Sequence, residues 1–112
     1  MADIEVHDGI TSNGIFLSAE SMQVFMGGTA INTTVDQGGK LIVDNGGLAK
    51  DTVLYYGGSA DIQGTASNVK VQYGASLELL AGGKLNVATV FDGGSATVHA
   101  DGRASGVIID GG

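Results

Sequence analysis

The sequence predicts an all-β fold: a right-handed, single-stranded parallel β-helix of about 5.5 coils, with about 19 residues in each. Three observations point there. Glycine pairs recur at alternating long and short intervals, apolar and polar residues alternate with period two between them, and proline is absent throughout. In such a solenoid each repeat makes one coil, and equivalent residues stack in columns ~4.8 Å apart along the axis.

Composition supports a folded chain. The 112 residues include 20 glycines, no cysteine, no tryptophan and 15% charged residues. Disordered glycine-rich chains are poor in branched aliphatics. Here 43% of residues are hydrophobic, so glycine punctuates structure instead of replacing it. Without cysteine there is no disulfide framework and no thiolate metal site.

The turn signals come first. They fall at residues 8–9, 19–20, 27–28, 38–39, 46–47, 57–58, 63–64, 73–74, 82–83, 93–94, 101–102 and 111–112. Most are Gly-Gly, and a long unit of about 11 residues alternates with a short one of about 8. Glycine supplies the positive φ and tight bends that such corners need.

Aligning the long units gives one apolar column of Phe16, Val35, Leu54, Val71, Val90 and Ile109. Two places earlier stand Gly14, Thr33, Thr52, Val69, Ala88 and Val107, and nearer the turn Thr11, Ala30, Ala49, Ala66, Leu85 and Ala104. In the short units Met22 and Val24, Leu41 and Val43, Ala60 and Ile62, Leu77 and Leu79, and Ala96 and Val98 point inward. Gln23, Ile42, Asp61, Glu78 and Thr97 lie between them and point outward. This is the alternation of half-buried strands. Hairpins would not return equivalent residues every 19 positions in one register, whereas parallel coils do. The right hand follows from the usual sense of parallel crossovers. Proline is excluded because almost every strand is central, and its missing N–H would break the ladder.

Residues 1–7 are expected as an N-terminal extension or cap and residues 8–112 as the repeat array. The array stops mid-pattern at Gly111-Gly112 and therefore reads as a fragment of a longer protein. An irregular stretch from residue 57 to 74 interrupts the even spacing. A further column, Asn13, Asn32, Asp51 and Asn68, admits a metal or glycan site, or corner residues in left-handed geometry with their amides laddered between coils. The second is favoured because Val87 and Gly106 occupy the same column.

Gly27-Gly28-Thr29-Ala30-Ile31-Asn32-Thr33-Thr34-Val35, followed by Gly38-Gly39-Lys40-Leu41-Ile42-Val43, resembles the repeat of AIDA-type autotransporter adhesins, the family that includes antigen 43. The opening Asp8-Gly9-Ile10-Thr11-Ser12-Asn13-Gly14-Ile15 is similar to the start of such arrays. The resemblance covers residues 8–112. It implies a virulence-associated passenger segment, exposed at the surface of a Gram-negative bacterium or secreted by the type V route, with an outer-membrane barrel as anchor. It further implies adhesion to host cells or neighbouring bacteria, self-association, and O-glycosylation by a glycosyltransferase before export.

Column geometry selects Thr34, Thr89 and Thr97 as candidate glycan acceptors on outward faces, while Thr33 and Thr52 belong to an inward column. Tyr55, Tyr56, Tyr73 and Phe91 are candidate contact aromatics, suited to stacking on glycans or partner rods and equally suited to a sheet surface. A purely structural stalk presenting another domain is the alternative role. A polysaccharide-binding or polysaccharide-degrading β-helix is a weaker one, because the acids are dispersed and His7 and His99 lie far apart in the array. No enzymatic activity, metal or cofactor is expected. The formal charge of −7, with bases scattered singly, argues against nucleic acid. No apolar run is long enough for a membrane span.

Overall fold

The computed structural model describes residues 4–110, and these form a parallel β-solenoid without helix. The first coil contains β1 (Ile4–Val6), β2 (Thr11–Asn13) and β3 (Phe16–Leu17). It continues through β4 (Ser21–Val24), β5 (Thr29–Ile31), β6 (Thr34–Val35), β7 (Lys40–Val43), β8 (Leu48–Lys50), β9 (Val53–Leu54) and β10 (Ser59–Ile62). Beyond these come β11 (Thr65–Val71), β12 (Ser76–Leu79), β13 (Lys84–Phe91), β14 (Ser95–Val98) and β15 (Arg103–Asp110). The short units make a six-stranded sheet in the order β1-β4-β7-β10-β12-β14. The long units make the second sheet, which bends midway along each coil; β11, β13 and β15 run through the bend as single strands.

Every ladder among the described residues is parallel, so no hairpin intervenes. Val35 pairs with Leu54 and Leu54 with Val71, the stack that the repeat predicts. The core is a filled column. Met22, Leu41, Ala60 and Leu77 lie above one another, as do Val6, Val24, Val43, Ile62 and Leu79, all essentially inaccessible. Burial of each such Val, Leu, Ile or Met side chain contributes ~1.5–3 kcal/mol, and the single methyl of Ala60 less. Ala96 and Val98 continue these columns in register, yet are exposed on the last described rung of this sheet.

Three expectations change. The first concerns the boundary at residue 8: Ile4–Val6 of the expected extension pair with β4, so the ladder begins before it. The second concerns the first coil, where Val6 to Val24 spans 18 residues. Leu17, not Phe16, therefore enters the apolar column, and Ser12, not Thr11, faces Ala30. By the same shift Gly14, not Asn13, takes the left-handed corner, and Phe16 is exposed. The cause lies in the turn. Gly9 stands level with Gly27, and Ile10 takes the place of the second glycine. In later coils that glycine sits against the coil before it: a Cβ on Gly28 would strike the Val6 carbonyl oxygen, and one on Gly58 that of Val35. No earlier described rung lies beneath Ile10, and a side chain is tolerated there.

The third concerns residues 57–74. Stacking stays even across this stretch, because the shortening is confined to a turn. Gln63-Gly64 replaces the four-residue Asp44-Asn45-Gly46-Gly47, and Ile62 to Leu79 closes in 17 residues with both strand registers intact.

Candidate interaction surface

The most distinctive surface feature lies where the second sheet turns back towards the first. Tyr55 and Tyr56 follow β9, Gln72 and Tyr73 follow β11, and Phe91 ends β13. These turns stack coil on coil: the Tyr55 N–H donates to the Val35 carbonyl at 2.8 Å, and the Gln72 N–H to that of Leu54 at 2.9 Å. Residues dispersed between 55 and 91 are thereby brought to one edge over three coils. Tyr55 and Phe91 share a column with Gln72 between them, and Tyr56 and Tyr73 are neighbours in the next.

The Tyr56 and Tyr73 rings stack with centroids 6.0 Å apart and planes inclined by 23°. The glycines of the following coils make room for them. A Cβ on Gly74 would overlap Tyr56 Cδ1, and one on Gly93 would overlap Tyr73 Cδ1. Both glycines also hold positive φ, 77° and 82°. The Tyr56 and Tyr73 rings lie beside this glycine backbone and stay largely exposed, at 60% and 69%, and the adjacent Tyr55 is 45% exposed. Phe91 is half-buried. Such rings offer large apolar area with little rotamer entropy to lose on contact.

The candidate hydroxyls do not converge on this edge. Thr34 and Thr89 stand on outward positions of the second sheet and are half-buried; Thr97 is exposed on the six-stranded sheet. Thr33 and Thr52 are fully enclosed, and neither Oγ1 has a hydrogen-bond partner.

The corner column takes the laddered form. Asn32, Asp51 and Asn68 have φ of 56°, 56° and 59°, and Asn32 Nδ2 donates to Asn13 Oδ1 at 3.2 Å. Among the described residues no group of three or more His, Asp or Glu is placed to hold a metal.

Two features escape a reading along the chain. His7 stacks on Phe25 at 4.5 Å with planes 2° apart, and His99 Nε2 lies 3.2 Å from Glu78 Oε1. Both histidines stand directly after the second inward residue of a short-unit strand, which is the signal that puts them in one column. The bases divide as well: Lys40 alone lies on the six-stranded sheet, 3.1 Å from Asp61, and the other four lie on the second sheet.

A family model described as "Adhesin of bacterial autotransporter system, probable stalk" matches residues 4–58. No curated protein matches the chain. Among solved structures, the crystal structure of a TibC-catalysed hyper-glycosylated TibA fragment superposes with a TM-score of 0.78 at 28% identity. The match covers 94% of this chain and 48% of that one, so the chain spans about half the length of the TibA fragment.

Proposed function

The chain belongs to the AIDA-type autotransporter adhesin passengers, and on that premise we propose that it is a surface-presented rod whose aromatic edge makes the contacts of adhesion or self-aggregation. Membership implies a location at the surface of a Gram-negative bacterium or outside it. Export by the type V route is part of the same reading. The role is presentation of surface, not catalysis. One observation carries it: Tyr56 and Tyr73 are stacked, held against glycine backbone and still largely exposed. A stalk needs only the coil and its ladders; it has no use for an ordered aromatic strip turned to solvent.

Binding of purified protein to host cells and to cells displaying the same rod tests this. Tyr55→Ala and Tyr56→Ala together are expected to abolish binding while the solenoid stays folded. Unchanged binding would leave the second role, a structural stalk, which the wording of the matching family model favours.

O-glycosylation by a glycosyltransferase before export is the accompanying proposal, with Thr34, Thr89 and Thr97 as acceptors. It is supported by their outward positions and by the glycosylated state of the TibA fragment. The intact mass of protein from its native host checks it: hexose- or heptose-sized increments are expected, and an unmodified mass would remove the idea.

A further inference from the structure

We propose that the outer face of the second sheet, on the side before its bend, is a cationic seat for a linear polysaccharide carrying negatively charged groups. This site is separate from the aromatic edge and does not rest on it. Lys50, Lys84 and Arg103 all point outward there, alternating with the buried Ala49 and Leu85 and with Ala104. Lys70 lies just beyond the bend. The chain has five Lys and Arg against 12 Asp and Glu, yet four of the five bases fall on this one sheet.

No outward strand position before the bend holds an acid. The nearest acids are at its borders: Asp101 in the preceding turn, and Asp51 at the bend, where it accepts from Asn68 at 2.7 Å. Among the described residues none of these four bases has an ion-pair partner. Lys84 and Arg103 also stand in register on adjacent strands, a like-charge pairing that costs stability. Among the described residues no ion pair offsets that cost. An external anion would.

The net charge of −7 does not forbid this. Packed sheets are ~10 Å apart and their outward side chains farther still. The acids of the six-stranded sheet therefore lie well beyond the Debye length of about 8 Å in physiological salt. Around the bases stand hydroxyls and amides, including Thr65, Ser67 and Asn86, suited to sugar hydroxyls. A second copy of the rod fits less well. The carboxylates of its six-stranded sheet are already engaged, Asp61 by Lys40, Asp44 by Gln23, Glu5 by His7 and Glu78 by His99.

The test is retention of the purified chain on dextran sulfate and on neutral dextran across a salt gradient. Salt-sensitive retention on dextran sulfate alone is expected. Lys84→Ser and Arg103→Ser should each weaken it about fivefold, the upper range for an exposed charge pair. Lys84→Arg and Arg103→Lys should restore it. Lys40→Ser removes the same charge from the opposite sheet and should leave retention unchanged, as should Tyr56→Ala with Tyr73→Ala. Equal retention on neutral dextran would overturn the proposal, and so would equal weakening by Lys40→Ser. It would likewise fall if sedimentation showed these cations joining copies of the rod while dextran sulfate was not bound. Circular dichroism confirms that each variant is folded.

Discussion

Asn68 donates from Nδ2 to Oδ1 of Asp51 at 2.7 Å, across a gap of 17 residues, and both residues sit in left-handed backbone at the same corner of successive coils. The bond is the local reward for a conformation that L-residues avoid. Asn and Asp tolerate it better than other residues because a short polar side chain can bond locally. One coil further, Val87 holds φ of 54° at the same corner with a β-branched side chain, 50% exposed, that can make no such bond.

Val87→Asn should therefore stabilise the rod. It removes strain of ~1–3 kcal/mol at a bulky left-handed residue and extends the amide ladder by one rung. Urea denaturation is expected to show a higher midpoint with an unchanged slope. A lower midpoint would mean that the valine methyls contribute packing that outweighs the strain.

Thr33 and Thr52 are buried at 0% and 1% exposure, and their hydroxyls have no partner. The column continues as Val69, so the site already accepts the isosteric apolar side chain. Thr33→Val and Thr52→Val should each gain about 1 kcal/mol by deleting an unsatisfied hydroxyl. Thermal unfolding of the single and double variants checks this, with near-additive shifts expected only if the adjacent hydroxyls do not interact.

Leu54 is fully enclosed between Val35 and Val71, whereas the neighbouring Tyr55 is 45% exposed. Leu54→Ala should cost ~2–5 kcal/mol through lost burial and the cavity left behind. Tyr55→Ala should change stability much less while altering surface contacts. Comparable losses in denaturant unfolding would show that Tyr55 packs more tightly than its exposure indicates.

Columns were legible from the sequence because two independent signals agree on them, period-two alternation within units and glycine between them. Where one signal is ambiguous the reading slipped. Asp8-Gly9 imitates the glycine pair, and taking it as one displaced the first coil by a residue, putting Phe16 where Leu17 stands. The cluster of Lys50, Lys84 and Arg103 was hidden for a different reason. In sequence these bases are single and distant, and they become neighbours only once each is placed in the long unit. The Tyr56–Tyr73 stack is masked by the two residues lost at Gln63-Gly64, which leave these column neighbours 17 positions apart in the chain instead of 19.

That stack makes the sharpest test of the turn. Gly74 is held at φ 77°, and the Tyr56 ring occupies the space a Cβ would need. Gly74→Ala therefore carries two costs, backbone strain and displacement of the ring. Only the second depends on the tyrosine. Tyr56→Ala should accordingly recover part of the loss caused by Gly74→Ala, with a coupling of ~0.5 kcal/mol or more in a double-mutant cycle read by chemical denaturation. Strictly additive losses would mean that the ring moves aside freely, and the exposed strip would then lack the rigidity that makes it a contact surface.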